Sequence, residues 1–234
     1  MAWRCTGASN AELIANLRRA SLIKSSTVAD AMARVDRAHY APRAPYEDSP
    51  QQIGFAATIS APHMHAAACE SLLGFLVKKV PGGKGKEERR VLDVGCGSGY
   101  LTHVLAECQG EGEGKVVGID HIQGLVDMSR RNMMKSERGK ELLESQRVEL
   151  VCGDGRKGYA ALAPYDAIHV GAAAKVLHEE LINQLKSPGR MFIPVDDGVG
   201  GGQWIWVVDK DENGRVKKRK DMGVMYVPLT DTPT

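Results

Sequence analysis

After residue 90, short apolar runs alternate with longer amphipathic segments. The runs are rich in Val and Ile, the composition typical of buried strands, and they lie at residues 91–94, 116–119, 148–151, 166–170 and 191–195. Segments with helical spacing lie between them, around residues 98–108, 122–134 and 176–185. Strands that alternate with helices predict a mostly parallel, doubly wound α/β sheet.

The first 80 residues have a different pattern, which predicts helices and one long loop. Ser9, with Glu12 three residues later, forms a capping-box signal for a first helix, and a second helix is expected after Thr27. A third helix, rich in Ala and Leu, is predicted over residues 62–79. Residues 41–62 show neither helical nor strand periodicity and therefore predict a loop. A loop of that length inside a domain is usually functional or disordered.

The C-terminal part predicts antiparallel strands. Residues 204–208 and 216–220 flank Asn213-Gly214, which is a hairpin turn signal, and residues 223–227 predict a further strand. We therefore expect one domain over residues 1–234. Its parts would be the N-terminal helices and loop (1–80), a cofactor-binding core (90–195) and the C-terminal strands (203–230).

Composition and charge exclude several classes of protein. The chain has 234 residues, 43% hydrophobic and 26% charged, with a formal net charge of +2. This balance is that of a globular domain and does not favour a nucleic-acid or membrane-surface ligand. No apolar run approaches the roughly 18 residues that span a bilayer, and the N-terminus lacks a secretory signal. Five scattered cysteines indicate reduced thiols, so we expect a cytosolic protein without a disulfide framework.

A glycine-rich loop follows the first strand of the alternating region. Gly95, Gly97 and Gly99 lie between residues 91–94 and the next predicted helix, where glycine lets the backbone turn sharply beside a ligand. The sixth position of a dinucleotide fingerprint is occupied by Tyr100, so G-x-G-x-x-G is not met. This spacing favours a nucleoside lying across the loop over a pyrophosphate docked on the helix.

One acidic residue ends the second strand of the alternating region, and another follows the third. Asp120 is placed to accept the ribose hydroxyls of a nucleoside, and Asp154 to meet its adenine end. The loop alone is also explained by a tight strand-to-helix turn. The order of glycine loop, acid and acid resembles the Rossmann-like class of S-adenosylmethionine methyltransferases.

Longer motifs resemble one family of that class. Residues 153–168 match the signature of the protein-L-isoaspartate (D-aspartate) O-methyltransferases, and residues 45–50, 57–65, 118–122 and 227–231 are also similar to the family. The resemblance runs along the whole chain. It implies methyl transfer from S-adenosylmethionine to the free α-carboxylate of isoaspartyl or D-aspartyl residues in damaged proteins, which leaves S-adenosylhomocysteine. The ester then cyclises to a succinimide, and hydrolysis of the succinimide partly restores the normal bond.

The resemblance also implies the site residues. Ser60 would be the active-site residue, within the long loop. The cofactor-binding residues would be Ala57, Thr58, Ile59, Ser60, His65, Val94, Gly95, Cys96, Gly97, Asp120, His121, Asp154, Gly155 and Thr230. The sequence departs from the family pattern at Cys96, where a serine is common, and in longer or glycine-rich segments at 82–90 and 198–202. These departures affect loop geometry more than chemistry.

Several of these residues also have a structural explanation. Ser60 could cap the helix that begins at Pro62, and Cys96 could have either a lowered thiol pKa near a helix N-terminus or only a packing role. His63 and His65 form an H-x-H pair, but without further ligands we predict no metal. The basic run at 217–220 is explained by a solvated strand.

Three other functions remain to be weighed against this one. They are a non-catalytic domain that binds cofactor or damaged protein, a nicotinamide dehydrogenase, and a methyltransferase acting on a small molecule or RNA. Retention of Ser60 argues against the non-catalytic domain, and the position of Gly99 argues against the dehydrogenase. The near-neutral charge offers no support for the third function. We expect a monomer whose partners are damaged proteins and peptides. Because an α-carboxyl has a pKa of roughly 3.5, this substrate requires no general base.

Overall fold

The computed structural model describes residues 5–77, 88–111, 114–196, 198 and 202–229. Most of its strands coincide with the short apolar runs of the sequence. The strands are β1 (Gln51–Gly54), β2 (Ala57–Ile59), β3 (Arg90–Val94), β4 (Lys115–Asp120), β5 (Val148–Cys152), β6 (Tyr165–Val170), β7 (Leu185–Asp196), β8 (Gln203–Lys210) and β9 (Val216–Val224). β1 pairs with β2, and the others form one sheet in the order β5-β4-β3-β6-β7-β8-β9.

This large sheet has a parallel and an antiparallel part. β3 to β7 pair in parallel, whereas β8 and β9 pair antiparallel to their neighbours. Every residue of β6 is buried, as expected for a strand that is covered on both faces. The predicted doubly wound sheet with antiparallel C-terminal strands is confirmed.

The strand order places a switch of direction at β3. The chain passes from β3 to β4 and β5 on one side, then crosses to β6 on the other side of β3. In open parallel sheets the crevice beyond the carboxyl ends of the strands at such a point is where ligands bind. The glycine loop at residues 95–99 follows β3 and therefore lies at this crevice.

The helices surround the sheet and follow the predicted pattern at their N-termini. They are α1 (Asn10–Arg19), α2 (Ser26–Arg34), α3 (Pro62–Leu76), α4 (Tyr100–Cys108), α5 (Gln123–Met133), α6 (Glu137–Glu144) and α7 (Glu179–Asn183). The Ser9 hydroxyl accepts from the Glu12 N–H at 3.2 Å, and the Glu12 carboxylate accepts from the Ala8 N–H at 2.8 Å. The predicted cap of α1 is therefore present. Within the described residues, no helix is long and apolar enough to cross a membrane.

Several helices differ from the prediction. α2 begins at Ser26 with Ser25 as its N-cap, slightly before the expected start. α6 was not predicted, although Ser136 caps it through its side chain. α7 is shorter than the predicted helix over residues 176–185 at both ends, and at its C-terminal end Leu185 already pairs with the sheet as the first residue of β7. α3 ends at Leu76, earlier than the predicted residue 79, because Val77 already has extended backbone.

The segment over residues 41–62 contains a hairpin that the sequence did not indicate. β1 and β2 are short, and their buried side chains are Ile53 and Ile59. The turn between them uses positive φ angles at Gly54 (92°), Phe55 (52°) and Ala56 (54°). Left-handed backbone at Phe and Ala is uncommon and has no sequence signal, which explains why the hairpin could not be predicted.

The predicted strand over residues 223–227 is wrong. Residues 223 and 224 continue β9, while residues 225–227 are outside any strand, and Pro228 forms an isolated bridge with Ala173. Met225 is 95% exposed, so the apolar sequence here does not mark a buried strand. This segment instead passes across the carboxyl end of the sheet near β6.

Two clusters of buried apolar side chains flank the sheet. One contains Leu13, Met32 and Leu72 of the N-terminal helices together with α4 and α5 side chains. The other contains β3 to β8 side chains packed with Leu181 of α7 and nearby residues. The sheet is therefore covered on both faces, and its carboxyl edge is left for the site. A single domain over residues 1–234 remains a prediction.

Gly99 is expected to be the most sensitive glycine of the loop. Its φ is +85°, and an added Cβ would lie 3.0 to 3.3 Å from atoms of Ser129. Gly110 has a similar φ of +73° but nothing within 4 Å, so it is a matched control. We predict that Gly110→Ala costs about 1 kcal/mol from backbone strain and that Gly99→Ala costs clearly more. Urea unfolding measures both, and equal losses would show that the Ser129 contact is unimportant.

Candidate active site

The glycine loop is held against β4 by backbone hydrogen bonds. Gly95 N–H and Cys96 N–H both donate to the Ile119 carbonyl, at 2.8 and 3.1 Å. Gly95, Gly97 and Gly99 all have positive φ. This repeated left-handed backbone lets the loop curl across the end of β3 and then enter α4.

Asp120, the last residue of β4, fastens the same loop through its side chain. Its buried carboxylate accepts from Gly97 N–H at 3.0 Å and from Ile122 N–H at 3.2 Å. Burial raises the pKa of Asp120, and these backbone donors together with the neighbouring His121 counteract part of that rise. A carboxylate offers about four lone-pair sites, so acceptor capacity remains for a ligand.

Three adjoining cavities open at this edge of the sheet, and Thr58 and Gly171 border all of them. The Asp120 cavity, about 300 Å³, is lined by Phe55, Ala57, Thr58, Gly95, Gly97, Asp120, His121, Ile122, Leu125, Ala172 and Leu229, among others. The histidine cavity, about 30 Å³, is lined by Thr58, Ile59, Ser60, His65, Asp93, Gly95, Cys96, Gly97, Tyr100 and His169, among others. The outer groove, about 590 Å³, is lined by Pro50, Ser60, Ala61, His63, Met64 and residues 223–228, among others.

The histidine cavity contains a buried Asp–His pair. Asp93 lies 2.7 Å through Oδ1 from His169 Nδ1 and accepts from the Thr102 hydroxyl at 2.5 Å through Oδ2. The pair forms because β3 and β6 place Asp93 directly beside His169. The ring of His169 also stacks on Phe192, which restricts its orientation.

Ser60 lies where the histidine cavity meets the outer groove. It is half-buried, and its side chain hydrogen bonds with Tyr226. Burial raises the pKa of Tyr226 to about 12, so its phenol is neutral at pH 7. The helix-capping explanation of Ser60 is wrong, because Ala61 is the N-cap of α3 and no side chain caps it.

The other predicted site residues divide into two groups. Those that line the Asp120 or histidine cavity are Ala57, Thr58, Ile59, His65, Gly95, Cys96, Gly97, Asp120 and His121. Val94, Asp154 and Gly155 border neither cavity, and Thr230 lies outside the described residues.

Asp154 has a structural role in this geometry. Its carboxylate pairs with the Arg156 guanidinium at 2.9 and 3.0 Å and accepts from the Arg156 N–H. The guanidinium lowers the pKa of Asp154. Gly155 packs against Val94 so closely that a Cβ would overlap it. Because Gly153 N–H donates to the Asp120 carbonyl at 2.9 Å, this turn nevertheless adjoins the end of β4.

Cys96 and the H-x-H pair have packing and hydrogen-bonding roles. Burial, with Asp120 and Asp93 nearby, raises the pKa of the Cys96 thiol, so the lowered pKa considered from the sequence is wrong. His63 contacts Asp48 at 2.8 Å, whereas His65 contacts Arg37 at 3.2 Å. Among residues that the structure describes, no three His, Cys, Asp or Glu side chains form a group able to hold a metal.

Several residues that line the cavities were not predicted from the sequence. Phe55 and Leu125 border the Asp120 cavity, and Asp93 and His169 border the histidine cavity. An aromatic residue in a Pro- and Gly-rich loop could have indicated Phe55. Asp93 and His169 could be paired only by knowing that β3 and β6 are neighbours, which local sequence does not give.

Comparison with solved structures gives the class of this fold. A crystal structure from Plasmodium falciparum, of a putative protein-L-isoaspartate O-methyltransferase with S-adenosyl-L-homocysteine, superposes with a TM-score of 0.85 at 31% identity. It covers 97% of this chain and 100% of that one. The fold is that of the Rossmann-like S-adenosylmethionine-dependent methyltransferases.

Sequence relatives specify the family within that class. The family model described as Protein-L-isoaspartate(D-aspartate) O-methyltransferase matches residues 8–234. The chain belongs to this family. A Caenorhabditis elegans protein-L-isoaspartate O-methyltransferase is 49% identical over 98% of this chain and 96% of its own length. Protein-L-isoaspartate O-methyltransferase 2 of Arabidopsis thaliana is 46% identical over 93% of this chain and 67% of its own length.

Proposed function

We propose that this chain transfers a methyl group from S-adenosylmethionine to the free α-carboxylate of L-isoaspartyl and D-aspartyl residues in damaged proteins and peptides. The product cofactor is S-adenosylhomocysteine. Family membership supports the reaction. The observation that carries the site assignment is the position of Ser60 between the histidine cavity and the outer groove.

The Asp120 cavity and the histidine cavity are suited to the two ends of the cofactor. Asp120 would accept hydrogen bonds from the ribose hydroxyls, with Ile122, Leu125 and Phe55 offering apolar walls to the nucleoside. His65 and the glycine loop border the smaller cavity, which continues from the first. When bound, the cofactor supplies an electrophilic methyl group on a sulfonium.

The nucleophile is supplied by the substrate and needs no activation. Its α-carboxyl has a pKa of roughly 3.5, so it is ionised at pH 7. One carboxylate oxygen forms a bond to the methyl carbon while the carbon–sulfur bond breaks, and the electron pair stays on sulfur. No proton moves in this step. The contribution of the protein is therefore in-line placement, a kind of effect that can reach about 7–11 kcal/mol.

Ser60 is the group that places the carboxylate. The Ser60 and Tyr226 hydroxyls are hydrogen bonded, and each can either donate or accept. When the substrate binds, the Ser60 proton can therefore turn to one carboxylate oxygen while the phenol donates to Ser60 Oγ. Both groups are neutral. This matters because negative charge leaves the carboxylate as the methyl group arrives, and an anion held too strongly in the ground state would react more slowly.

The outer groove is the surface for the damaged peptide. Its wall includes apolar side chains of Pro50 and Met64, and Met225 is almost fully exposed beside it. Residues 225–227 are outside any strand but are held beside the groove, because the Tyr226 backbone pairs with the Gln203 side chain and the Val227 carbonyl accepts from Ala173 N–H. Recognition through the backbone suits a substrate of varied sequence. The loop at 41–60 and residues 226–230 are the segments we assign to it.

The remaining assignments concern the cell and the assembly. We propose a cytosolic monomer that does not bind nucleic acid and that forms one methyltransferase domain. The near-neutral charge of +2 supports the absence of a nucleic-acid partner. Five free thiols, of which only Cys152 is exposed, support a reducing compartment.

Paired peptides test the proposed reaction. We predict that labelled S-adenosylmethionine converts an isoaspartyl peptide into a base-labile methyl ester, while the matched aspartyl peptide stays unlabelled. The reason is that only the isoaspartyl form presents a free α-carboxylate at the branched residue. Scintillation counting of volatile methanol after base treatment measures the ester. Equal labelling of both peptides would overturn the substrate assignment.

Two substitutions separate cofactor binding from substrate placement. Asp120→Ala should weaken S-adenosylhomocysteine binding by about 10- to 150-fold, because a hydrogen bond to a charged group contributes roughly 1.5–3 kcal/mol. Ser60→Ala should leave that affinity within about threefold and instead reduce the transfer rate. Calorimetric titration and single-turnover assays measure the two effects.

Asp127→Ala is the matched control for this pair, because Asp127 lies exposed on α5 and borders none of the three cavities. It should change neither quantity. A collapse of cofactor affinity in Ser60→Ala, with Asp120→Ala unaffected, would contradict the division of roles.

A further inference from the structure

Arg37 is a fully buried cation directly behind the proposed active site. It lies in the short 3₁₀ helix Arg37–His39 that follows α2, and its exposure is 0%. Among described residues, no carboxylate is within ion-pair distance, and Asp48 acts on it only at longer range. Burial lowers the pKa of Arg37 to about 10, so it is still a cation at pH 7. Burying a charge without an ionic partner is costly, which raises the question of what keeps it there.

The guanidinium is shared between two site residues. Nη2 donates to the Ser60 carbonyl at 2.8 Å, and Nη1 contacts His65 Nδ1 at 3.2 Å. The group also lies 5.1 Å from the centroid of the Tyr100 ring, while its Nε has no partner. Because a guanidinium is planar and rigid, these two bonds hold the Ser60 backbone and the His65 ring at a set separation.

Contact with Arg37 also determines which nitrogen of His65 carries the proton. An arginine side chain can only donate, so Nδ1 of His65 must accept and the proton of the neutral ring is on Nε2. Burial, followed by the Arg37 charge, holds the pKa of His65 well below its ordinary value, so the ring is neutral. His65 lines the histidine cavity, and Nε2–H is then the only donor that its ring can offer there.

We propose that Arg37 is a positioning residue, whose two N–H groups fix the Ser60 backbone and select the Nε2–H tautomer of His65. It touches neither the cavities nor the groove, so it acts through these two residues. The proposal deepens the proposed function and rests on it for the importance of Ser60. Lysine could not replace it, since a single ammonium nitrogen lacks the fork that reaches two acceptors in one plane.

The tautomer can be observed directly by long-range ¹H–¹⁵N NMR of the full-length protein with S-adenosylhomocysteine. His65 is assigned by the loss of its signals in His65→Gln. We expect a neutral ring with the proton on Nε2 from about pH 6 to 8. The charged or titratable groups that face His65 are Arg37, His63, His169 and Tyr100, and Asp93 and Cys96 line the same cavity. A cationic ring or an Nδ1–H tautomer at pH 7 would overturn the proposal without any variant.

Variants at Arg37 test the consequence for transfer. In Arg37→Met and Arg37→Lys we expect mixed His65 tautomers and at least a tenfold lower single-turnover rate, with the peptide KM changed less than threefold. Arg34→Met is the matched control, because Arg34 is half-exposed on α2 and pairs with Glu107 away from the site. It should change neither the tautomer nor the rate.

An unchanged His65 tautomer and transfer rate in a folded Arg37→Met would refute the role of the two-donor guanidinium. A wild-type tautomer and rate in Arg37→Lys would refute it as well. If Arg37→Met does not fold, the His65 tautomer of the wild-type protein and the transfer rate of Arg37→Lys still test the proposal. Failure of the proposed function is distinguishable, because it would appear as a wild-type protein that leaves isoaspartyl peptides unlabelled, whereas the NMR measurement uses no peptide.

Discussion

Backbone N–H groups of Gly97 and Ile122 converge on the buried carboxylate of Asp120, and the site depends on this contact. It joins the glycine loop after β3 to the end of β4, while the Ile119 carbonyl accepts from the start of the loop. A carboxylate accepts both bonds through charged oxygens and leaves acceptor capacity for the cavity, whereas a neutral amide or hydroxyl accepts more weakly and through a single oxygen. The curled loop, its left-handed glycines and the Asp120 cavity are all consequences of this link.

Charge is distributed around the site in a way that suits the reaction. A positive sulfonium and a negative carboxylate become two uncharged products, so a cation held against the carboxylate would stabilise the reactants more than the transition state. The Ser60 hydroxyl, hydrogen bonded to the neutral Tyr226 phenol, lies with Thr58 where the histidine cavity meets the outer groove. Arg37, the buried cation, lies behind the Ser60 peptide and contacts its carbonyl oxygen. In the proposed reaction, a charged residue thus holds the site and neutral residues touch the substrate.

The sequence predicted the sheet and much of the cavity, and it did so where the signal is local. Buried parallel strands are short apolar runs, and Asp120 and the glycine loop follow such runs directly. The hairpin turn at Phe55 escaped prediction because its left-handed backbone falls on Phe55 and Ala56, residue types that rarely adopt it. The role of Arg37 escaped because its partners, Ser60 and His65, are 23 and 28 residues away along the chain. Contacts of that kind follow from packing, which no single segment reveals.

The central claim is that this site places its reactants and activates neither by removing a proton. The most direct test is the single-turnover rate of methyl transfer, at saturating cofactor and isoaspartyl peptide, between pH 6 and 8. Histidine, with a reference pKa of roughly 6.5, is the side chain that would act as a base there. The account predicts a nearly flat profile, in wild type and in His65→Gln. A tenfold rise across this range that disappears when one of the site histidines is replaced would show that a base is at work and would contradict the account.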